Sequence, residues 1–86
     1  MIDHPVSLLL NRKALRLTQA EMAERMGLSM RGYQDIETGK AELRKIHILA
    51  FERAALTRAI ESSKPMSAPP SIRKDALDLA RLITEG

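Results

Sequence analysis

The stretch TQAEMAERMGLSMRGYQDIETGK, residues 18–40, decides the fold of this chain. Thr18 and Glu21 form a capping box, in which each side chain bonds the backbone N–H of the other residue and starts a helix. Gly27 supplies the left-handed backbone conformation that commonly follows the end of a helix. Ser29 is a favoured N-cap for a second helix. The stretch is therefore predicted to form two short helices joined by a tight turn.

The second of these helices, residues 29–38, is apolar on one side and polar on the other. Tyr33 and Ile36 share the inner side, together with the apolar residues of the first helix and the turn, Met22, Met26 and Leu28. The outer side carries only polar residues, which are Arg31, Gln34, Asp35 and Thr38. The small Ala23 allows two helices to cross closely at a steep angle, as a helix-turn-helix requires. A short helix that presents Arg and Gln outward is suited to reading base edges in DNA.

Further helices are predicted on both sides of this unit. One begins at His4-Pro5, since proline is tolerated in the first turn, and it ends near Leu15-Arg16. Its apolar residues at helical spacing are Val6, Leu9 and Leu10. A long helix over residues 43–62, or two helices joined at a bend, carries a wide apolar face made of Ile46, Leu49, Ala50, Phe51, Leu56 and Ile60.

The chain is predicted to have three parts. Residues 1–62 form a helix-turn-helix DNA-binding domain. Residues 63–70, SKPMSAPP, form a linker because they combine prolines and small polar residues without helical periodicity. Residues 71–86 form an amphipathic helix, capped by Ser71, whose apolar stripe comprises Ile72, Ala76, Leu79, Ala80 and Ile83.

The composition limits the class of protein. With 86 residues the chain holds one small core, and its 2% aromatic content and single valine favour an all-α fold over a sheet. The absence of cysteine excludes disulfides and thiolate zinc sites. The net charge of +3 permits nucleic-acid binding without requiring it. No apolar run reaches a membrane span, and the N-terminus lacks a basic region, so a cytoplasmic protein is expected, associated with the nucleoid when bound to DNA.

Catalytic and metal chemistry are not expected. The two histidines, His4 and His47, lie far apart and lack the i, i+4 spacing of helical metal ligands. The sequence has no nucleophile and base at a recognisable spacing and no glycine-rich phosphate loop. We therefore predict a protein that is not an enzyme and that needs no cofactor and no metal.

The stretch from Leu17 to Lys40 resembles the Cro/lambda-repressor (XRE-type) helix-turn-helix transcriptional regulators. The residues that match in register are Gln19, Ala23, Gly27, Ile36, Glu37 and Gly39. The resemblance covers roughly residues 5–56, and it implies an all-α fold, a compact bundle of about five helices that contains a helix-turn-helix, here followed by the short C-terminal helix.

The resemblance also implies roles for individual residues. Base contacts are expected from Met30, Arg31, Gln34 and Asp35 on the recognition helix. Asp35 would accept from a cytosine amino group or only orient Arg31, and Met30 would touch a thymine methyl or only pack. Phosphate contacts are expected from Gln19, Ser29, Tyr33, Lys40, Arg44 and Lys45. Arg12 and Glu37 occupy the places of an ion pair that ties the first helix to the recognition helix in such domains.

Two positions depart from the family pattern. Tyr33 stands where valine or isoleucine is usual, and we expect its ring in the core with its hydroxyl at a phosphate. Arg16 stands where glycine usually ends the first helix, so that end is expected to differ.

The predicted function is sequence-specific transcription regulation, as a repressor that binds a pseudo-palindromic double-stranded DNA operator as a homodimer. The apolar residues of the long and C-terminal helices are expected to form the dimer contact. Such small regulators are typical of phages, other mobile elements, restriction–modification systems and toxin–antitoxin loci. One alternative is an antitoxin-like protein in which residues 65–86 bind a partner protein. Another is a protein-interaction module without DNA binding, which the modest charge, Asp35 and Glu37 favour.

Overall fold

A computed structural model describes residues 2–86, which form five α-helices and one 3₁₀ turn. The elements are α1 (Pro5–Ala14), α2 (Gln19–Met26), α3 (Met30–Glu37), α4 (Lys45–Glu61), the 3₁₀ turn Pro65–Ser67 and α5 (Pro70–Glu85). Residues 2–86 contain no strand, so the all-α prediction is confirmed. Within the same residues, none of the helices combines the length and the apolar character that a membrane span requires.

The helix-turn-helix forms through the local bonds that the sequence predicts. Thr18 Oγ1 accepts from the Glu21 N–H at 3.1 Å, and Glu21 Oε1 accepts from the Thr18 N–H at 2.9 Å. Gly27 has φ of +75°, and the following Leu28 N–H donates to the Ala23 carbonyl at 2.9 Å. These bonds satisfy backbone groups at both ends of α2, so α3 leaves the turn in a defined direction.

The core lies between the helix-turn-helix, α1 and α4. Tyr33 and Phe51 are its largest members and are fully buried. The other buried residues of the cluster are Ile2, Leu8, Leu15, Leu17, Met22, Ala23, Ile36, Ala54 and Ala55. Met26 and Leu28 are partly buried against this cluster. Burial of the inner side of α3 thus holds that helix against the rest of the domain.

The apolar side predicted for the first helix is wrong, since of its residues only Leu9 is even partly buried. Leu8 is fully buried, whereas Val6 and Leu10 are 55% and 61% exposed. Three consecutive leucines place apolar side chains on more than one side of a helix, so spacing alone does not select the side that faces the core.

The long helix α4 is a single helix that buries small residues. Phe51 and three alanines, Ala54, Ala55 and Ala59, form its inner side. The aliphatic residues Ile46, Leu49 and Ile60 are instead 54–70% exposed. The predicted wide apolar face is therefore divided, with Phe51 in the core and the larger aliphatic side chains outside it.

The predicted linker, residues 63–70, is structured rather than extended. It contains the 3₁₀ turn, Ala68 is 4% exposed, and the Arg73 guanidinium donates to the Ala68 carbonyl at 2.7 Å. The prediction that Ser71 caps the last helix is wrong. The helix begins at Pro70, two residues before the start that a Ser71 cap implies. The proline ring already has the φ that a first helical residue needs, and Ser71 Oγ donates to Glu52 Oε2 at 3.3 Å.

The residue that follows the C-cap of the first helix has unusual backbone geometry. Arg16 has φ of +57°, a left-handed conformation that non-glycine residues seldom adopt. The turn is nonetheless a regular helix end, because the Arg16 N–H donates to Lys13 and the Leu17 N–H donates to Arg12. Here the fold places a non-glycine residue where glycine is preferred.

We expect Arg16→Gly to stabilise the domain by about 0.5–1 kcal/mol, because the left-handed strain is relieved by more than the added flexibility of the unfolded chain costs. Arg16→Ala retains the Cβ atom and should give no such gain. Urea unfolding followed by circular dichroism measures the difference between the two variants. Equal stabilities for glycine and alanine at position 16 would contradict the argument.

Candidate nucleic-acid interface

The recognition helix α3 is fixed at both ends by short-range bonds. Ser29 Oγ accepts from the Gly32 N–H at 3.0 Å, which caps its start. Its end is followed by Gly39 at φ of +83°, and the Ala41 N–H reaches back to the Asp35 carbonyl at 2.8 Å. An eight-residue helix is too short to be stable by itself. These caps and the buried inner side therefore position the outer side chains.

The outer side of α3 presents the residues predicted to read bases. Met30 is 49% exposed, and the Arg31 side chain is 76% exposed. Arg31 and Asp35 lie one turn apart, with Nε and Oδ1 3.6 Å apart. A surface ion pair at this distance contributes little to stability and leaves the guanidinium free to move. Arg31 is thus available to a ligand that approaches this side of the helix.

The inner side of α3 carries an ion pair with α1. Arg12 Nε and Nη2 each donate to one carboxylate oxygen of Glu37 at 2.9 Å, which makes a bidentate ion pair. Arg12 Nη1 also donates to the Leu17 carbonyl at 2.8 Å. The Arg12 and Glu37 side chains are 11% and 4% exposed. This is the ion pair that the resemblance implies, and it connects the first helix directly to the recognition helix.

Two glutamines extend this pair toward the outer side. Gln19 Nε2 donates to Glu37 Oε1 at 3.0 Å. Gln34 Nε2 in turn donates to Gln19 Oε1 at 3.0 Å. Sequence reasoning assigned Gln19 to phosphate and Gln34 to bases but missed their mutual contact. No spacing signal identifies it, because the contact depends on how α2 crosses α3.

Hydrogen bonds keep Glu37 ionised in spite of its surroundings. Burial would raise the pKa of Glu37, but the bonds from Arg12 and Gln19 outweigh burial and hold the pKa below the ordinary 4.5. A depressed carboxyl pKa contributes stability above pH 4.5, and the contribution is lost as pH falls through the folded-state value. The same shift occurs at Glu21 and Glu61, through bonds with Thr18 and Arg25.

The expected phosphate contact of Tyr33 is wrong. Tyr33 is fully buried, and its hydroxyl makes no hydrogen bond of acceptable geometry. Burial raises the pKa of Tyr33, so the hydroxyl stays protonated. The ring fills the core as expected, but its hydroxyl is buried together with the ring and does not reach the surface.

The other residues predicted at phosphates lie around α3. Ser29 precedes the helix, and its hydroxyl oxygen is already used as the cap. Lys40, Arg44 and Lys45 follow the helix and are exposed, and Arg44 lies 3.7 Å from Glu42. Gln19 is partly exposed beside the buried carboxylate. The chain thus has exposed cations in the segment that leads out of the recognition helix.

Comparison with known proteins agrees with this geometry. A family model described as Helix-turn-helix matches residues 9–54, which run from α1 into α4. The chain belongs to the helix-turn-helix family. Within that family it is a Cro/lambda-repressor-like regulator, as the sequence predicts. A search of curated proteins and a search of solved structures gave no significant match.

The family is one of DNA-binding transcription regulators, and its chemistry is recognition rather than catalysis. Among the described residues 2–86 of this helix-turn-helix protein, no group of His, Cys, Asp or Glu side chains is arranged to hold a metal ion. The matched region ends inside α4, so the 3₁₀ turn and α5 lie beyond it.

We expect Glu37→Ala to lower the free energy of unfolding at pH 7 by about 3–5 kcal/mol, because the charge of the largely buried Arg12 would lose its carboxylate partner. The wild type should also lose stability as pH falls below 4.5, and the variant should lose less over that range. Thermal unfolding across a pH series measures both effects. A variant as stable as the wild type at pH 7 would refute the importance of this pair.

Proposed function

We propose that this chain is a repressor that binds a pseudo-palindromic operator as a homodimer, with α3 in the major groove. The observation that carries the proposal is the division of α3 into an inner side held by Tyr33, Ile36 and Glu37 and an outer side with an exposed Arg31. An exposed guanidinium on a fixed helix can donate to O6 and N7 of guanine. The chain's membership of the helix-turn-helix family supports the DNA-binding part of the proposal.

Base reading and phosphate binding are assigned to different residues. In this proposal Met30, Arg31, Gln34 and Asp35 face base edges. Gln19, Ser29, Lys40, Arg44 and Lys45 face the backbone, Ser29 through the start of the helix that it caps. Repression would follow from occupation of a promoter by the bound protein.

We expect Arg31→Ala to lose about 1–3 kcal/mol per half-site on the correct operator and to relax preference at one base position. Lys40→Ala should weaken operator and scrambled duplexes about equally and reduce the salt slope by about one unit. The measurement is the affinity of each variant for both duplexes across a salt series. An Arg31→Ala variant that weakens both duplexes equally would make Arg31 a phosphate contact.

The homodimer is proposed from apolar surface that one copy leaves open. Ile60, Met66 and Leu77 border a groove of about 810 Å³ between α4 and α5. On the other side of α5 a smaller groove is bordered by Leu49 and Leu79. The two grooves share Leu56, Ile72 and Ala76, so the surface is continuous. An extended exposed apolar surface of this kind favours association with another chain.

The exposed apolar area on and beside this surface is large enough for a dimer interface. Seven apolar side chains there are 53–73% exposed, which leaves on the order of 100 Å² of apolar area each. Five of them line the grooves, namely Leu49, Ile60, Met66, Leu77 and Leu79, and the other two, Leu82 and Ile83, follow later in α5. Together they approach the roughly 800 Å² that each partner commonly contributes to a stable interface.

We expect the wild type to be a dimer at micromolar concentration, and we expect Leu79→Glu or Ile83→Glu to make it a monomer. These side chains are 59% and 70% exposed, so the substitutions should not unfold one copy. Val6→Glu is the matched control, since Val6 is 55% exposed on α1 and should leave the dimer intact. Light scattering after size exclusion measures the mass, and a monomeric wild type, free and on DNA, would end the dimer proposal.

The open α5 also favours the second candidate, an antitoxin-like protein whose residues 65–86 bind another protein. No residue of α5 is buried within the chain. Co-expression with the product of a neighbouring gene distinguishes the candidates. A stable complex that is lost in Ile83→Glu, together with a monomeric wild type, would favour this alternative. Failure of the wild type to bind any duplex at low salt would favour a protein-interaction module without DNA binding.

A further inference from the structure

A row of polar groups runs from the buried ion pair to the outer side of the recognition helix. The Glu37 carboxylate accepts from Gln19 Nε2 at 3.0 Å, and Gln19 Oε1 accepts from Gln34 Nε2 at 3.0 Å. Glu37 is itself held by Arg12 through two bonds of 2.9 Å. A buried charge is thus connected to the side chain of Gln34 by a single intervening amide.

The charge of Glu37 determines which way both amides point. An ionised carboxylate can only accept hydrogen bonds, so the Gln19 group that faces it must be the donating Nε2. Gln19 Oε1 then faces Gln34, which must present its own Nε2 to that oxygen. Rotating the Gln34 amide by half a turn would place two oxygens against each other and would break the bond. Gln34 therefore has one preferred polarity.

This polarity leaves a defined pair of groups on Gln34. One Nε2 hydrogen is used by Gln19, while the second hydrogen and Oε1 have no partner within residues 2–86. Oε1 is not among the buried polar atoms without a partner, which agrees with the partial exposure of Gln34. The side chain can thus offer one acceptor and one donor to a ligand on the outer side of α3.

We propose that Gln34 is the residue that specifies adenine, with Gln19 and Glu37 as positioning residues that fix the polarity of its amide. The inference rests on the proposed function, since it requires α3 to lie in the major groove. Adenine presents the N6 amino group as a donor and N7 as an acceptor, so Gln34 Oε1 accepts from N6 and Nε2 donates to N7.

The fixed polarity discriminates against the other bases. Guanine presents O6 and N7, both acceptors, and O6 would oppose Gln34 Oε1. Thymine presents O4, which opposes the same oxygen, and cytosine presents an amino group without a neighbouring acceptor. An amide that rotates freely could turn its nitrogen toward guanine or thymine. Preference for adenine therefore depends on Gln19, a residue that does not touch the base.

The test is selection of binding sequences from a randomised duplex library by the full-length wild type and by variants. The wild type should select adenine at one position of each half-site. Gln34→Ala should lose that preference, by about tenfold, while the position read by Arg31 is unchanged. Gln19→Met retains the size of the side chain but removes both amide bonds. It should bind more weakly overall, and guanine and thymine should rise at the adenine position.

Controls separate folding from reading. Glu24→Gln, on the exposed part of α2, should select the same sequences as the wild type. Circular dichroism establishes that each variant is folded, and Gln19→Ala replaces Gln19→Met if the methionine variant is not. A purely structural role for Gln19 would lower affinity at all positions together. It would not change base preference at one of them.

The possible results separate the inference from the proposed function. If the wild type selects no sequence and binds no duplex at low salt, the proposed function fails and the inference fails with it. If the wild type selects an operator but Gln34→Ala leaves every base preference unchanged, the function stands and the inference is wrong. If Gln34→Ala loses adenine while the folded Gln19 variant retains it, the positioning role of Gln19 and Glu37 is wrong.

Discussion

The rest of the structure depends on the ion pair between Arg12 and Glu37. The two residues are 25 positions apart in the chain and belong to different helices. Removing both charges from water is costly, and only good geometry and further bonds offset that cost. Here the further bonds come from the Leu17 carbonyl and the amide of Gln19. The pair therefore specifies one orientation of α3 relative to α1, since any other orientation would leave a charge buried without a partner.

This constraint explains how a short helix can act as a recognition element. An isolated helix of eight residues would be largely unfolded in water. Ser29 and Gly39 fix its ends, and Tyr33 and Ile36 are its buried apolar residues. Apart from the bond between Gln34 and Gln19 and the loose pair of Arg31 and Asp35, the bonds that stabilise α3 use its inner side, its two ends or its backbone. Arg31 and Met30 on the outer side remain exposed, and this is the side on which we propose that DNA binds.

The surface formed by α4 and α5 is apolar, unlike the polar outer side of α3. The chain is near the size at which one core suffices, and α4 fills that core with Phe51 and alanines. Leu49, Ile60, Leu77 and Leu79 of α4 and α5 remain outside the core, along two adjoining grooves. Monomeric soluble proteins rarely expose a contiguous apolar surface of this extent. The molecule thus presents a polar surface on the outer side of α3 and an apolar surface on α4 and α5.

The sequence by itself determined the local elements. Thr18, Glu21, Gly27 and Ser29 act within one or two turns of their own positions, so the ends of α2 and the start of α3 were predicted correctly. The all-α class and the family were also predictable from the sequence, because composition and the register of the motif do not depend on packing. Local hydrogen bonds and helical periodicity carry that information.

Only the tertiary structure decided which side of each helix is buried and which polar groups meet. In α1, packing buried Leu8 rather than Val6. In α4, Ile60 stayed outside the core although its position fits the helical periodicity. The tertiary structure also buried the Tyr33 hydroxyl and joined Gln19 to Gln34. The physical reason is that these outcomes depend on the crossing of helices distant in the chain. A crossing is determined by the sum of all packing and polar contacts, and no single stretch of sequence contains that sum.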